Sequence, residues 1–392
     1  MELARICFWL SIFLIIYPSI IYPSLVFLLG LIRPRPVMRC SWLPSVTVLI
    51  PAHNEAENIA ETIKNKLEQD YAADRLEIIV ISDGSTDGTD DIVRRFCSEH
   101  VRLLRREPRE GKAAALNEAV RHASGEILVF SDANSIFAPD TIRRLTENFA
   151  DPEVGYVTGK LTYKTRRAGV AGNGCSAYMK YENVLRTLET RAGSIMGVNG
   201  GVDAIRRELY SDVPQHLITD FVLPLHVIST RHRVVYDERA ISAEVANSEL
   251  GSEFRMRVRV ALRALQGIAY MRRLSNPVNY PWAAFSLISH KIGRYLCFLF
   301  LPIALVTSLM LVAAPVYAAL FVAQAMAYLL ALAGLRKDLP ELLRKLTLIP
   351  AYFLMTNVAF TFAVIKFLKG ETMATWQPRG GAQSAERYNQ AA

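Results

Sequence analysis

The stretch SVTVLIPAHNEAENI, residues 45–59, decides the fold of this 392-residue chain. It begins with an apolar, β-branched run that ends in a proline, a composition typical of a short buried strand. A polar turn with helix-capping residues follows, and Ile59, Ile63 and Leu67 then recur at the spacing of an apolar helix face. A strand that leads directly into a helix predicts the first unit of an α/β domain.

The same alternation continues along the chain. Further short apolar runs predict strands at 76–82, 101–104 and 126–130, and helical patterns separate them, including 113–122 and 139–149. Strands that alternate with helices predict a mostly parallel sheet with helices on both faces. In such a sheet, ligands bind beyond the carboxyl ends of the strands.

Polar clusters follow these strands. Residues 52–55 (AHNE) and 83–89 (DGSTDGT) follow the first two, GKAAALN at 111–117 opens a helix, and SDAN at 131–134 follows the fourth strand. A lysine at a helix start can contact phosphate oxygens, and two oxygen ligands two residues apart can hold Mg²⁺ or Mn²⁺ against a diphosphate. The alternative is that these residues only make turns and helix caps.

Six motifs, in chain order, resemble those of the family 2 glycosyltransferases, which have the GT-A fold. They are VTVLIPAHNEAENI (46–59), VISDGSTDGT (80–89), GKAAALNEA (111–119), ILVFSDANS (127–135), GVNGGVDAIRR (197–207) and ITDFVLPLHV (218–227). The apolar ends of the chain and SHKIGRYL (289–296) are similar to the membrane-bound members that build exopolysaccharides and chitin-like oligomers. The resemblance implies a GT-A domain with a mostly parallel, Rossmann-like sheet and about four transmembrane helices.

The resemblance implies a role for each matching residue on the donor side. The implied pocket for the base and ribose is lined by His53, Asn54, Glu55 and Asp83, and Lys112 lies near it. Asp132 is implied to lie beside the ribose and diphosphate. Together with Asn134, it is implied to bind Mg²⁺ or Mn²⁺. Displacement of a nucleoside diphosphate requires this kind of charge stabilisation on the leaving group.

On the acceptor side, the resemblance places Asn199, Gly200 and Gly201 in the wall beside the donor sugar or acceptor. It makes Asp220 the general base that takes the proton from the acceptor hydroxyl. One base and one displacement imply inversion at the anomeric carbon, in contrast to enzymes that form a covalent intermediate on a carboxylate.

Three positions depart from the family pattern. Asn134 replaces the second aspartate of the usual metal motif, so the second metal ligand is neutral. Thr219 precedes Asp220 where the family usually has a glutamate. Of the QxxRW motif of processive synthases only the arginine is retained, and we expect Arg259 to contact the diphosphate. The missing tryptophan removes a stacking platform for a growing chain, which favours transfer of a single sugar.

The predicted function is therefore inverting transfer of a sugar from a nucleotide-sugar, with UDP as the expected nucleotide, to a hydroxyl of a lipid-linked or oligosaccharide acceptor during synthesis of a cell-surface glycan. A processive polysaccharide synthase and a catalytically weakened scaffold for other glycan-assembly proteins are the alternatives. The net charge of +8 suits an anionic membrane surface or phosphorylated substrates. The sequence contains no basic block with interleaved aromatic residues, so it gives no indication of nucleic-acid binding.

Long apolar stretches predict the membrane segments. Residues 6–32 are long enough to cross a bilayer and end in an arginine cluster, which predicts an uncleaved anchor with a cytosolic C-terminal end. Further spans are predicted at 295–313, 315–335 and 346–368. The expected protein is a multi-pass protein of the cell (inner) membrane, in contact with membrane lipids, whose catalytic domain is cytosolic.

The predicted organisation has five parts. They are a membrane anchor at 1–32, a glycosyltransferase domain at 40–275, an interfacial amphipathic helix at 280–294, three membrane segments within 295–368 and a polar tail at 369–392.

Overall fold

The predicted strands at 45–51, 76–82, 101–104 and 126–130 all form. The computed structural model describes residues 1–164, 170–245, 250–336 and 339–372. The strands are β1 (Val46–Ala52), β2 (Leu76–Asp83), β3 (Val101–Arg106), β4 (Ile127–Phe130), β5 (Ile136–Phe137), β6 (Val154–Lys164), β7 (Asp203–Arg206) and β8 (Arg233–Val245).

Thirteen α-helices lie within the described part of the chain. They are α1 (Glu2–Ile16), α2 (Tyr22–Ile32), α3 (Ile59–Leu67), α4 (Thr89–Arg94), α5 (Lys112–His122), α6 (Thr141–Glu147), α7 (Val170–Ala192), α8 (Thr219–Ser229), α9 (Leu250–Tyr270), α10 (Pro281–Ser286), α11 (Gly293–Met310), α12 (Pro315–Ala333) and α13 (Glu341–Leu368).

All eight strands belong to one mixed sheet, in the order β3-β2-β1-β4-β7-β6-β8-β5. The first four strands pair in parallel, as the strand–helix alternation predicts, and every residue of β1 is buried. Because β1, β2 and β4 run in the same direction, the polar clusters that follow them meet at one edge of the sheet.

The second half of the sheet is not a continuation of this parallel pattern. β7 pairs antiparallel with both β4 and β6, and β5 pairs antiparallel with β8, while β6 and β8 are parallel. This antiparallel pairing places Asp203, the first residue of β7, opposite Phe130, the last residue of β4. The segment that precedes β7, residues 197–202, therefore lies at the same edge as the polar clusters.

Helix α3 differs from its predicted apolar face. Ile59 and Ile63 are buried as expected, but Leu67 is 44% exposed and Lys66 is fully buried. The inward face of α3 is therefore partly polar, with Thr62 and Lys66 among its buried residues.

The chain divides into two compact units. The sheet and the helices packed on it, from Arg35–Lys164 and Glu189–Val245, form one unit. The second unit is helical and comprises Met1–Pro34 and the described residues of Thr165–Leu188 and Ala246–Glu371. The predicted boundaries of the catalytic domain at 40 and 275 remain predictions.

Within the helical unit, charged side chains are buried in pairs. Glu182 accepts a hydrogen bond from Arg294 and is buried beside His290. Arg257 lies 2.9 Å from the carboxylate of Glu253. Pairing of this kind offsets the free-energy cost of removing these charged side chains from water.

Four helical stretches in the described residues are long and apolar enough to cross a membrane, and this number agrees with the predicted one. They are Glu2–Ile32, Pro281–Met310, Pro315–Ala333 and Leu342–Leu368. The stretch Pro281–Met310 is one continuous run of helix with a π-helical turn at Leu287–Ile292, so the division near residue 294 into an interfacial helix and a span remains a prediction. The predicted polar tail lies outside the described residues beyond position 372.

Candidate active site

Backbone turns at the ends of β1 and β2 bring His53 and Asn54 next to the loop that begins at Asp83. Nδ1 of His53 lies 2.8 Å from the carbonyl oxygen of Asp83. Asn54 has a positive φ of 54°, and its side-chain oxygen accepts a hydrogen bond of 2.9 Å from the amide of Thr86. A short polar residue tolerates this left-handed conformation better than most, so Asn54 joins the two loops.

Asp83 is buried and uses both carboxylate oxygens within the protein. They accept hydrogen bonds of 3.0 Å from the amide of Glu110 and 2.7 Å from the amide of Gly111. Gly111 adopts a φ of 99°, which an L side chain rarely adopts, and α5 begins at the next residue, Lys112. Asp83 therefore fixes the backbone from which the lysine projects.

Glu55 is another buried acidic residue near this edge of the sheet. It is buried, and its carboxylate accepts a hydrogen bond of 2.9 Å from the side chain of Asn58. Burial raises the pKa of Glu55, and the nearby charge of Asp132 raises it further. A carboxyl group with a raised pKa in a polar cleft is a feature of functional sites.

Lys112 is the centre of the cluster. Its ammonium lies 2.7 Å from Oδ1 of Asp132 and 3.5 Å from Oδ2 of Asp220, and it also donates to the carbonyl of Gly200 at 3.4 Å. Burial by itself lowers the pKa of Lys112, but the charges of Asp132 and Asp220 outweigh it and raise the pKa above its ordinary value. The lysine is therefore a permanent cation between two carboxylates.

Asp220 stands in the first turn of α8, directly against Gly200. A Cβ at Gly200 would lie 2.6 Å from the carboxyl carbon of Asp220, and Gly200 has a φ of 84°. Both observations require glycine at this position. The Asp220 side chain remains about one quarter exposed to solvent.

Asn199 holds the segment before Gly200 in place. Its side-chain amide donates to the carbonyl of Gly159 at 2.7 Å, and its backbone amide donates to the hydroxyl of Thr158 at 3.3 Å. The predicted contact of Asn199 with the donor sugar or acceptor remains a prediction, while its hydrogen bonds explain how the 199–201 segment is fixed against β6.

Asp203 is a further acidic residue of the site to which the sequence motifs assigned no role. It is fully buried at the start of β7, and its Oδ2 accepts a hydrogen bond of 2.9 Å from the amide of Gly200. Burial raises the pKa of Asp203 to about 7, and the charge of Asp220 contributes to the rise. Its place in GVNGGVDAIRR, where the motif passes from a polar loop into an apolar strand, is the signal that could have identified it.

Gly201 is packed closely against Glu244 and Ser135 and lies next to Asp132. A Cβ at Gly201 would lie 3.7 Å from Oδ2 of Asp132 and would crowd the carboxylate of Glu244 at 2.5 Å and the hydroxyl of Ser135 at 3.0 Å. The hydrogen bond of Lys112 uses the other oxygen, Oδ1. A side chain at position 201 would therefore displace Glu244 or Ser135.

Asp132 and Asn134 supply oxygen ligands of the kind that Mg²⁺ and Mn²⁺ take together with water and phosphate oxygens. The described residues contain no group of three or more His, Cys, Asp and Glu side chains that could hold a metal ion by themselves. The residues fit a metal that a diphosphate helps to bind.

Arg259 lies in α9, which belongs to the helical unit, and it is partly buried there. The other predicted site residues all lie in the sheet unit. The predicted contact of Arg259 with the diphosphate remains a prediction.

Comparison with known proteins identifies related glycosyltransferases. Residues 47–212 match the family described as "Glycosyl transferase family 2". The poly-beta-1,6-N-acetyl-D-glucosamine synthases of Staphylococcus epidermidis and Staphylococcus aureus strain COL are each 26% identical to this chain, over 269 and 267 residues. The aligned part covers 64% of this chain and 64% of the length of these relatives.

One solved structure resembles nearly the whole chain, not only part of it. The mannosyltransferase PcManGT from Pyrobaculum calidifontis, in complex with GDP-Man and Mn²⁺, is 27% identical, with a TM-score of 0.69 over 93% of this chain and 99% of its own.

The family resemblance predicted from the six motifs is confirmed, as is the combination of a GT-A domain with about four apolar helices. The length and apolar composition of these helices indicate a membrane protein. The match begins in β1 and runs beyond β7, and the sheet gathers Lys112, Asp132 and Asp220 at the ends of its strands: residues 47–212 are similar to glycosyltransferase family 2.

Proposed function

We propose that this protein transfers a sugar from a nucleotide-sugar donor to a hydroxyl group of an acceptor, with inversion at the anomeric carbon. The observation that carries the proposal is the placement of Lys112 between Asp132 and Asp220. One carboxylate belongs to the loop that follows β4 and the other to the start of α8, so the lysine separates a predicted diphosphate side of the cleft from a predicted acceptor side.

On the donor side, Lys112 binds the diphosphate and neutralises the negative charge that grows on it as the glycosidic bond breaks. A cation that is already fixed by Asp132 and by the carbonyl of Gly200 loses little freedom when the donor binds. A divalent metal held by Asp132, Asn134 and the diphosphate would add Lewis-acid stabilisation of the same leaving group. His53, Asn54, Glu55 and Asp83 build the adjoining pocket for the nucleoside.

On the acceptor side, Asp220 accepts the proton of the acceptor hydroxyl. The hydroxyl oxygen forms the new bond to the anomeric carbon, and the bonding electrons to the old oxygen leave with the nucleoside diphosphate. The Gly200 backbone holds Asp220 in place, and the diphosphate competes with Asp220 for Lys112. Donor binding therefore leaves Asp220 a stronger base than in the empty cleft.

The donor and acceptor are part of the proposal. We propose a UDP-sugar as the donor, a lipid-linked or oligosaccharide acceptor, and a catalytic domain on the cytosolic side of the cell (inner) membrane. The experiment is a screen of UDP-GlcNAc, UDP-Glc, UDP-Gal and GDP-Man against the detergent-purified full chain, with Mn²⁺, Mg²⁺ or EDTA, measuring release of nucleoside diphosphate. We expect release with one class of donor, and loss of activity in EDTA that Mn²⁺ or Mg²⁺ restores. Absence of turnover with every donor would contradict the proposal and would favour a scaffold for other glycan-assembly proteins.

A second candidate function is processive synthesis of a polysaccharide. It is favoured by the similarity to proteins named poly-beta-1,6-N-acetyl-D-glucosamine synthase. The two functions differ in product length, which mass spectrometry of the products from donor and membrane extract measures directly. We expect products extended by one sugar, because no tryptophan follows Arg259. A ladder of long products would instead establish processive synthesis.

A further inference from the structure

Helix α3 holds the segment that follows Asp132 by a row of polar side chains. Thr62 donates to the carbonyl of Ala133 at 2.7 Å, and Lys66 donates to the carbonyl of Ser135 at 2.6 Å. Asn65 and Gln69 extend the row: Asn65 pairs with both backbone groups of Phe137, and Gln69 donates to the carbonyl of Ala138. The spacing of residues 62, 65 and 66 places these three on one helix face, and Gln69 follows just beyond the end of α3.

Lys66 is the unusual member of this row, because it is a charged residue with no exposed surface. Its ammonium also donates to the side chain of Asn65 at 2.9 Å and lies 3.7 Å from the centre of the Phe137 ring. Burial lowers the pKa of Lys66 well below its usual range, and only the charge of Glu244 opposes this effect. A leucine would fill the same space without that cost, so packing alone does not explain a lysine here.

Glu244 holds the same segment from the other side. It is buried in β8, and its Oε1 accepts a hydrogen bond of 2.6 Å from the hydroxyl of Ser135. Lys66 and Glu244 therefore bind the carbonyl and the hydroxyl of one residue, Ser135. Glu244 also lies beside Gly201, close to Asp132.

We propose that Lys66, together with Glu244, is a positioning residue that fixes the segment 132–135 and thereby sets how well the site binds a divalent cation with the donor diphosphate. Neither side chain takes part in the reaction. Lys66 acts through Ser135, and the loop between Asp132 and Ser135 is short enough that freeing one end of it moves Asp132 and Asn134. The effect on the reaction rests on the proposed function, while the effect on the loop does not.

The first test replaces Lys66 with methionine, an unbranched apolar side chain of similar length, and measures hydrogen exchange in the full chain in detergent. We expect the amides of Ser135 and Phe137 to exchange roughly tenfold faster or more, because the hydrogen bond from Lys66 to the carbonyl of Ser135 is lost. Lys64→Met, on the exposed face of the same helix, is the matched control and leaves the exchange unchanged. Unchanged exchange at 133–138 in folded Lys66→Met would overturn the proposal.

A second control separates positioning from a general loss of stability. Ile63→Val removes one methylene group from a fully buried neighbour in α3 that makes no hydrogen bond to the segment 133–138. We expect faster exchange confined to 133–138 for Lys66→Met, and a smaller effect spread over the sheet core for Ile63→Val. The same pattern in both variants would show that Lys66 is only a core residue and would contradict the proposal.

The consequence for the site is measured by the Mn²⁺ concentration that gives half-maximal release of nucleoside diphosphate. We expect this concentration to rise at least fivefold in Lys66→Met, with a smaller change in the rate at saturating Mn²⁺, and to stay at the wild-type value in Lys64→Met. If wild-type protein turns over no donor, the proposed function fails, and the hydrogen-exchange result still decides whether Lys66 fixes the loop.

Glu244→Gln provides a test if Lys66→Met does not fold. Glutamine keeps the shape of the side chain and an acceptor for Ser135 but removes the charge opposite Lys66. We expect faster exchange at Ser135 and Phe137 in Glu244→Gln alone. Where Lys66→Met does fold, the double variant should show an effect smaller than the sum of the two single effects. Wild-type exchange in Glu244→Gln, or purely additive effects, would contradict a shared role.

Discussion

The ammonium of Lys112 lies 2.7 Å from Oδ1 of Asp132, and this charged hydrogen bond joins the start of α5 to the loop that follows β4. Asp83 fixes the backbone before Lys112, and α3 fixes the segment after Asp132. The two partners are thus held from opposite sides before any substrate binds. Such preorganisation favours stabilisation of a developing charge without reorganisation of the site.

Replacing Lys112 with methionine should lower the rate of nucleoside diphosphate release by about 10²–10³-fold, the range seen when one preorganised electrostatic group is lost. Initial rates at saturating donor, followed by a coupled assay for the released diphosphate, measure this. The double variant Lys112→Met/Asp132→Asn serves as the control. If the two residues act together, its loss will be close to that of the more damaging single variant. Multiplicative losses would show that they act separately.

Replacing Asp220 with asparagine should lower the turnover rate by about 10²–10⁴-fold, because the proton acceptor is removed. Donor binding should not weaken, because Lys112 also loses a carboxylate that competes with the diphosphate. The measurement is donor turnover alongside calorimetric titration with the nucleoside diphosphate that the donor screen identifies. Asp212→Asn is the matched control, since Asp212 is exposed and pairs with Arg121 on the surface. A fully active Asp220→Asn protein would mean that another group is the base.

Replacing Gly200 with alanine should abolish turnover, because the new methyl group collides with the carboxylate of Asp220 and the backbone has a φ of 84°. Gly88 has a similar φ of 88° but open space around its Cβ position, so Gly88→Ala carries the backbone strain without the collision. Both variants should lose roughly 1–3 kcal/mol of unfolding free energy from strain, measured by thermal unfolding. Equal activity of the two variants would show that the collision with Asp220 is unimportant.

The sequence was sufficient to predict the four parallel strands and the side chains that follow them, because buried β-branched runs and the loops between them are local features. It was not sufficient to predict β7 beside β4, since that antiparallel pairing joins residues about 75 positions apart. For this reason Gly200 and Asp220 were predicted as separate motifs, and their contact was found only in the structure.

The inward face of α3 shows a second limit of sequence patterns. Lys66 and Leu67 are adjacent in α3, so the helical period of 3.6 residues allows either one to face inward. Hydrophobicity favoured Leu67 as the buried residue. The structure buries Lys66 because Ser135 and Glu244 supply partners from distant parts of the chain. No local rule anticipates a buried charge whose partners lie about 70 and 180 residues away.

Replacing Asp203 with asparagine should change how stability depends on pH. Since the pKa of Asp203 is about 7 in the folded protein and near 3.8 in the unfolded chain, the folded state holds this proton over the intervening range. Asp203 therefore makes the protein progressively less stable as the pH rises from about 4 to about 7, by roughly 1–4 kcal/mol.

Asparagine cannot ionise, and its side-chain oxygen still accepts the hydrogen bond from the Gly200 amide. Asp203→Asn should therefore gain stability relative to the wild type as the pH increases from 4 to 7, and the difference should level off above pH 7. Chemical unfolding of both proteins in the same detergent from pH 4 to 8 measures it, and the contribution of Glu55 cancels because both proteins contain it. A stability difference that is constant across this range would mean that Asp203 is already ionised at pH 4 in the folded state. Its carboxylate would then be a third fixed negative charge beside Lys112, rather than a neutral support beneath Gly200.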